Sequence, residues 1–353
     1  MKYLKALIAA LKLQRLGAKI KGEFRIQSII ELDGQSYVVL PTNPSTEVPG
    51  VQSLFWESRL GHSLVEPYER TAETVSFKIH KNFREKPKQG DSVWLSGWLG
   101  EVPADFGIQK LEKVSLDNGV IATVVRRSSR SWVIHVHGRN AAIGETLRNF
   151  SQFDNLGFNQ LFLPHESDSK PEGLGKRKSD LGASEWKQVE AAVREVKALG
   201  ASEVILFGWS LGAMIIGQFM LRSEESKVVS KLIMDSPLVD YRSTLRLQSE
   251  LAGYDASFGD YVHKLLTKSY LLKAVGFGYK ELPSLLHAYS VPVLVLYSKT
   301  DGYVSMEIIP DLQSLNKTLV LREFANGKHC RLYNQNPEFY QSSIEDFIQQ
   351  HST

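Results

Sequence analysis

The chain has 353 residues, which at about 150 residues per domain is too long for one ordinary domain and short for three. Hydrophobic residues make up 42% and charged residues 23%, a balance that excludes collagen-like, wholly disordered and multi-span membrane chains. A formal charge of +3 is too small to indicate a nucleic-acid partner. The single cysteine excludes an internal disulfide and a cysteine-based metal cluster, and it is compatible with the reducing cytoplasm.

Residues 1–22 predict an amphipathic N-terminal helix. Four apolar residues share one helical face: Leu4, Leu7, Ile8 and Leu11. The apolar run is too short for a membrane span, and no cleavage pattern of a signal peptide follows it. We therefore expect this helix to dock on the body of a cytoplasmic protein, with weak peripheral contact to a membrane surface as the alternative.

Residues 23–107 predict a β-rich accessory domain. Two apolar runs flank the Asp33-Gly34 dipeptide and predict a hairpin, since Asp-Gly supplies the positive φ angles of a two-residue turn. Apolar alternation continues at 74–80 and 92–99, without a helical pattern. Glycine and proline at 97–107 predict the boundary with the next domain.

Residues 108–353 predict an α/β domain, because strands alternate with helices along them. The predicted strands are 111–116, 120–126, 132–137, 160–164, 203–207, 231–234, 292–297 and 318–324, and the predicted helices are 145–153, 185–199, one from 211 and 338–349. This order predicts a mostly parallel central sheet with helices on both faces. The apolar segment 238–288 predicts a small helical cap over the site, with ordinary packing on the sheet as the alternative.

The strongest chemical signal is the pentapeptide GWSLG at 208–212, which follows a predicted strand and opens a predicted helix. This context is typical of a nucleophile elbow, in which a strained serine exposes its Oγ above the sheet. Gly208 and Gly212 supply the small neighbours that such a turn needs. We therefore expect Ser210 to be a nucleophile and the N–H of Leu211 to point toward a developing oxyanion.

A serine hydroxyl needs a base oriented by an acid, and in this architecture they follow in the order serine, acid, histidine. Asp301 lies in the loop after one predicted strand, and His329 lies in the loop after the next. Both loops fall at the sheet edge where Ser210 is expected, so these three residues are the candidate triad. Asp235 is a rival acid after an earlier strand, although an Asp before Ser-Pro is also an ordinary turn signal.

The loop after strand 132–137 begins with Gly138 and Arg139. A glycine there lets the backbone approach the site, so the N–H of Arg139 is the second expected oxyanion donor. His135 and His137 share a strand face and raise a metal pair as an alternative. No third ligand at metal-like spacing accompanies them, and we expect neither a metal nor another cofactor.

Two further features have ordinary explanations. Cys330 lacks an elbow, which makes it a small packing residue rather than a nucleophile. The loop at 165–183 carries four basic residues: Lys170, Lys176, Arg177 and Lys178. They favour an anionic substrate if they face the site, whereas a solvated charged surface is the commoner explanation.

The chain from about residue 111 onward resembles the α/β-hydrolases, in particular bacterial hydrolases related to the serine aminopeptidases and the prolyl oligopeptidase group. The likeness is carried by HVHG at 135–138, GWSLG at 208–212 and the stretch at 181–193, and in the first part by Pro49-Gly50 and Gly61-His62. The resemblance implies a triad of Ser210, Asp301 and His329 and an oxyanion N–H from the His-Gly loop. Relatives commonly have Gly-Gly where this chain has Gly212-Ala213.

The sequence therefore predicts a serine hydrolase acting on a small acyl substrate. An ester is the first expectation, because an alkoxide leaves more readily than an amine. A peptidase specific for short peptides is the alternative within the same class. A catalytically inactive scaffold that binds a partner through its β-rich part is the alternative from a different class.

Overall fold

The computed structural model describes residues 2–15, 22–176, 178–274 and 276–351. Within these ranges the chain forms two β-sheets, with helices packed around the second. Arg177, one of the basic residues of the loop at 165–183, lies outside the described residues, as do 16–21 at the end of the predicted N-terminal segment. The predicted domain boundary near residue 107 falls between the last strand of the first sheet and the first strand of the second.

The first sheet is antiparallel and uses residues 24–96. Its strands in the described chain are β1 (Phe24–Arg25), β2 (Ser28–Leu32), β3 (Gln35–Pro41), β4 (Gln52–Trp56), β5 (Gly61–Arg70), β6 (Thr74–Asn82) and β7 (Ser92–Ser96). Their order across the sheet is β1-β7-β4-β5-β6-β3-β2. Alternate residues of β6, such as Val75 and Phe77, are fully buried in a core of this region's own. The predicted hairpin is β2–β3, which turns at Asp33 and Gly34.

The second sheet is mixed. Its strands in the described chain are β8 (Glu112–Ser115), β9 (Ile121–Val125), β10 (Ser131–Val136), β11 (Asn159–Leu163), β12 (Glu203–Trp209), β13 (Val229–Asp235), β14 (Val293–Tyr297) and β15 (Leu319–Glu323). Their order is β15-β14-β13-β12-β10-β11-β9-β8. Strands β10 to β15 pair in parallel, whereas β9 pairs antiparallel with both β11 and β8. The prediction of a mostly parallel sheet thus overlooked an antiparallel edge: the short turn at 117–119 folds β9 back on β8, and this hairpin joins the parallel strands through β9, which runs opposite to β11.

Helices cover both faces of the second sheet. In the described chain they are α1 (Lys2–Gln14), α2 (Gly144–Leu147), α3 (Phe150–Asn155), α4 (Trp186–Ala198), α5 (Leu211–Arg222), α6 (Tyr241–Leu251), α7 (Ala256–Lys268), α8 (Tyr270–Ala274), α9 (Ile309–Leu315), α10 (Leu332–Gln335) and α11 (Pro337–Gln350). Along β12, Val204 and Leu206 join the core under α4 and α5, while Ile205 and Phe207 join the core under α3 and α11. Burial on both faces explains why this strand is apolar without alternation.

The N-terminal helix α1 docks on the body of the protein, through only part of the face that the sequence predicted. It packs on α7, with Ala6 and Ala10 buried, and Gln14 is buried at its end. Leu4 and Ile8 remain exposed, at 59% and 42%. Alanine side chains let two helices approach closely, so Ala6 and Ala10 form the buried centre of the contact, and Leu7 and Leu11 are partly buried beside them. None of the described helices is long and apolar enough to cross a membrane.

The segment 238–288 contains α6, α7 and α8. Helix α6 lies beside the loop after β14, where the side-chain amide of Gln248 donates hydrogen bonds to the carbonyls of Gly302 and Tyr303 at 3.0 and 2.8 Å. Helix α7 packs against α6 and against α1. These helices therefore support the loop that carries Asp301.

Candidate active site

Ser210 lies at the turn between β12 and α5, where the sequence predicted it. Its backbone has a φ of 51° and a ψ of −114°, a conformation that costs a residue other than glycine on the order of 1–3 kcal/mol. Hydrogen bonds hold both of its backbone groups. Its N–H donates to the carbonyl of Asp235 at 3.0 Å, and its carbonyl accepts from the N–H of Leu238 at 3.2 Å. The neighbouring strand and loop thus impose the strained turn on the serine.

Gly208 and Gly212 occupy positions in this turn with no space for a side chain. A Cβ on Gly212 would lie 2.1 Å from the carbonyl oxygen of Val136, and one on Gly208 would lie 2.7 Å from the backbone nitrogen of Ala213. Both obstacles are backbone atoms, so the main chain itself would have to move. The two glycines therefore allow α5 to begin directly against β10 and β12.

Ser210, His329 and Asp301 form one hydrogen-bonded series. Nε2 of His329 lies 2.9 Å from Oγ of Ser210, and Nδ1 lies 2.8 Å from Oδ2 of Asp301. The other carboxylate oxygen, Oδ1, accepts the backbone N–H groups of Tyr303 at 2.7 Å and Val304 at 3.1 Å. An ionised carboxylate only accepts hydrogen bonds, so Nδ1 carries the ring proton and Nε2 faces the serine as an acceptor.

The surroundings of His329 stabilise its positive charge. Burial disfavours the imidazolium, but the charge and the hydrogen bond of Asp301 outweigh burial and raise the pKa of His329 above its usual value. The charges of Glu145 and Asp235 act in the same direction. The ring of Tyr303 stacks on the imidazole with centroids 5.2 Å apart. A proton taken up by His329 is therefore held more firmly than on a free imidazole.

Asp235, the rival acid, has its carboxylate engaged elsewhere. The residue is fully buried. Its oxygens accept hydrogen bonds from Ser236 Oγ at 2.8 Å, Tyr340 Oη at 2.7 Å and Arg148 Nη2 at 3.2 Å. The carboxylate that meets the imidazole of His329 is that of Asp301.

The two residues expected to supply oxyanion donors are both near Ser210: Leu211 follows it in the chain, and Arg139 lines the same cavity. Leu211 is the first residue of α5, where a backbone N–H has no acceptor within the helix. Gly138 packs against the serine, since a Cβ placed on it would lie 3.3 Å from the serine Cβ. Its N–H donates to Oε2 of Glu145 at 2.7 Å, whereas the N–H of Arg139 has no partner among the residues that the structure describes. The Arg139 guanidinium turns away and donates to the carbonyls of residues 12, 13 and 15 near the end of α1.

A cavity of about 350 Å³ contains Ser210 and His329. Part of its wall comes from the β-rich region and includes Trp94 and Trp98, so the region to which the sequence assigned no role borders the site. In the described chain, no residue of 238–288 lines this cavity. Helix α6 borders a separate cavity of about 880 Å³ that contains neither the serine nor the histidine. The predicted cap helices thus stand beside the serine's cavity and do not wall it.

His135 and His137 each have a partner within the protein. Nε2 of His135 lies 3.1 Å from Oε1 of Gln160, and burial lowers the pKa of this histidine to about 3. Nε2 of His137 lies 2.9 Å from Oδ2 of Asp168. Over the described ranges, no group of three or more His, Cys, Asp or Glu side chains is arranged to hold a metal ion.

The remaining sequence candidates lie outside the chemistry of the serine. Cys330 is buried, and burial raises the pKa of its thiol well above its usual value, which keeps the thiol neutral. Lys176 pairs with Glu166, and Lys178 donates to the carbonyl of Gly276. Neither lysine lines the cavity of Ser210. These two lysines of the loop at 165–183 therefore contact other parts of the protein and do not face a substrate in that cavity.

Sequence reasoning missed Glu145, Arg148 and Trp98. Glu145, in α2, is 7% exposed, and Arg148, directly after α2, is 4% exposed. The sequence predicted one continuous helix at 145–153, where the structure has two short helices. The signal that was available is a pair of opposite charges three residues apart, close behind the His-Gly loop. Trp98 carried no signal, because its contact with the site depends on how the two sheets pack.

The sequence matches no protein-family model and no curated protein sequence. Solved structures do match. An esterase from Pyrococcus furiosus has a TM-score of 0.54 at 16% identity, over 71% of this chain and 96% of that one. A proline iminopeptidase-related protein from Thermus thermophilus has a TM-score of 0.52 at 15% identity, over 69% and 98% of the two chains. At such identities the likeness is one of fold, and we conclude that this chain has the α/β-hydrolase fold.

Proposed function

We propose that the protein is a serine hydrolase that cleaves carboxylic esters through an acyl-enzyme intermediate on Ser210. The observation that carries this proposal is the hydrogen-bonded series from Ser210 through His329 to Asp301, at 2.9 and 2.8 Å. A hydroxyl is a weak nucleophile at neutral pH, and an imidazole oriented by a carboxylate is a base that activates it. The strained turn and the adjacent cavity support the same role.

In the acylation step, Oγ of Ser210 attacks the ester carbonyl while Nε2 of His329 takes its proton. Asp301 holds Nδ1–H and stabilises the imidazolium that forms. His329 then returns the proton to the leaving alkoxide, and the acyl group remains on the serine. In the second step the same imidazole activates a water molecule, which releases the acid and restores the free serine.

The N–H groups of Leu211 and Arg139 are the proposed donors to the oxyanion. One is fixed by the start of α5, and the other lies in the loop whose Gly138 packs on the serine. Preorganised donors of this kind contribute on the order of 10²- to 10³-fold each to kcat. The helix dipole of α5 adds positive potential at the same point.

Esters are the preferred substrate class because an alkoxide leaves more readily than an amine, so little beyond the serine, its base and the donors is needed. A peptidase acting on short peptides is the second candidate. The feature that favours it is Glu145, an acidic residue that lines the cavity and would be an anionic partner for a substrate ammonium group. The fold of this chain is similar to that of both an esterase and a proline iminopeptidase-related protein, so both substrate classes belong in one test.

The test is a panel of p-nitrophenyl esters of increasing acyl length, measured beside aminoacyl p-nitroanilides. We expect ester hydrolysis by the parent protein and a loss of more than about 10³-fold in kcat for Ser210→Ala. Ser226→Ala is the matched control, because this serine follows α5 and its hydroxyl donates to the carbonyl of Ser223, away from the cavity of Ser210. Faster turnover of the anilides would favour the peptidase.

Two results would contradict the proposal. Full esterase activity in Ser210→Ala would remove the serine from the reaction. No activity of the parent across the whole panel would favour the inactive scaffold that binds a partner.

A further inference from the structure

We propose that Arg148 and Asp235 form a buried positioning pair that holds His329 by fixing the backbone of Cys330. This inference rests on the proposed function, in which His329 is the base. It assigns to Asp235, the rival acid, a role that involves neither proton transfer nor a direct hydrogen bond to the imidazole. It also links the β-rich region to the same segment of chain.

The backbone of Cys330, directly after His329, is strained and is held at both of its polar groups. Its φ is 53°, in the left-handed region that residues other than glycine rarely adopt. Its N–H donates to Oγ of Ser236 at 3.0 Å, and its carbonyl accepts from Nη1 of Arg148 at 2.8 Å. A strained residue persists only where its surroundings over-determine it, and these two bonds are the restraint at this position.

Asp235 organises both of these restraints. Oδ1 accepts the hydroxyl proton of Ser236, which turns the serine lone pairs toward the N–H of Cys330. Oδ2 accepts from Nη2 of Arg148 at 3.2 Å, which fixes the guanidinium that reaches the Cys330 carbonyl. The side chains of Arg148 and Asp235 are both fully buried. An unpaired buried ion is costly, so the two charges are retained or lost as a unit.

The same segment is fastened to the wall of the cavity. Nη1 of Arg148 also donates to the carbonyl of Gly97 at 3.2 Å. Arg331 and Asn334, which follow Cys330 in the chain, contact the β-rich region as well. Arg331 donates to the carbonyl of Leu95 at 2.5 Å, and Asn334 donates to the carbonyl of Gly97 at 3.1 Å. The base and the wall that carries Trp98 are therefore held by one set of hydrogen bonds.

The consequence for catalysis is geometric. Nε2 of His329 lies 2.9 Å from Oγ of Ser210, at ordinary hydrogen-bond length. Release of the Cys330 backbone would let this contact lengthen, and a misplacement of about 1 Å costs on the order of 10²-fold in rate. Because the pair does not touch the substrate, kcat should fall by about 10- to 100-fold while KM changes little.

The test compares two carboxylate-to-amide changes in ion pairs of the second sheet. Asp235→Asn alters the pair with Arg148, and Glu203→Gln, the matched control, alters the pair with Lys231, which lies on the same strand β13 but at its other end. The readouts are kcat and KM on a p-nitrophenyl ester and the fluorophosphonate labelling rate of Ser210, each per folded molecule. We expect a loss of kcat only in Asp235→Asn. Equal kcat values in both variants and the parent would overturn the inference.

A second variant covers the case in which Asp235→Asn does not fold. Replacing the pair together by apolar residues, Arg148→Met with Asp235→Leu, leaves no unpaired buried charge and is often neutral for stability. We expect a folded protein whose kcat is still lowered, because the Cys330 carbonyl has lost its donor. Parental kcat in this double variant would mean that the pair is structural only, against the proposal.

Three further outcomes separate the hypotheses. A loss of about 10⁴-fold in Asp235→Asn, equal to that expected for the acid that orients the imidazole, would assign Asp235 that role and overturn the positioning role. Absence of labelling at Ser210 in the parent would contradict the proposed function and this inference with it. Labelling of the parent and of Asp235→Asn at the same rate would contradict this inference alone.

Discussion

Replacing Asp301 by Asn tests the orienting carboxylate directly, because the structure fixes which way the new amide would face. Oδ1 accepts two backbone N–H groups, from Tyr303 at 2.7 Å and Val304 at 3.1 Å. An amide NH₂ cannot accept these bonds. The asparagine oxygen therefore stays at that position, and its NH₂ points at Nδ1 of His329.

This orientation reverses the tautomer of the imidazole. Nδ1 must then accept from the amide, so the ring proton moves to Nε2 and faces Oγ of Ser210, which can no longer be deprotonated. An orienting carboxylate that is changed in this way lowers kcat by about 10⁴-fold, equivalent to about 5.5 kcal/mol in activation free energy. The fold should persist, because both backbone hydrogen bonds of Asp301 remain.

The assay is kcat on a p-nitrophenyl ester, with circular dichroism to check that the variant is folded. Asp240→Asn is the matched control: Asp240 caps α6 through the N–H of Ser243 at 2.8 Å, and asparagine caps a helix equally well. The control should keep parental kcat. A kcat for Asp301→Asn within about tenfold of the parent would refute the reasoning, because the tautomer would then not depend on this carboxylate.

Three other predictions concern the pH dependence, the cavity wall and the N-terminal helix. The pKa of His329 is raised above 6.5 and the base must be neutral, so kcat/KM should fall as the pH drops through a midpoint above 6.5; a midpoint at or below 6.5 would be inconsistent with the ion pair. Trp98→Phe puts a smaller side chain in the cavity wall, so the cavity becomes larger and the preferred p-nitrophenyl ester should have a longer acyl chain. An unchanged chain-length profile would mean that Trp98 does not limit the acyl chain. Ala6→Leu overfills the contact of α1 and should lower the free energy of unfolding by about 1–3 kcal/mol, whereas Leu4→Ser, at an exposed position, should change it by less than about 0.5 kcal/mol. The opposite order in denaturant titrations would mean that α1 docks through the side of the helix that carries Leu4.

Much of the second sheet could be predicted from local patterns. The apolar strand that ends at the elbow and the acid and base that follow later strands all depend on short stretches of sequence. Each stretch combines one periodicity with one turn signal. The order of the three residues along the chain then suffices to predict that they meet at one sheet edge, where the structure has Ser210, Asp301 and His329 in contact.

The features that could not be predicted depend on packing between distant segments. Arg148 and Asp235 are 87 positions apart, and neither looks unusual within its own segment. The docking face of α1 was predicted only in part, because periodicity ranks residues by hydrophobicity, whereas the close approach to α7 selects the smallest side chains. The position of Trp98 at the cavity depends on how one sheet lies against the other, which no local pattern contains.

The most direct test of the central claim is mass-spectrometric mapping of the residue that a fluorophosphonate probe labels in the folded protein. We expect a single adduct on Ser210, absent in Ser210→Ala, that forms faster as the pH rises and His329 loses its proton. No adduct on the folded parent protein, or an adduct on another residue that persists in Ser210→Ala, would contradict it.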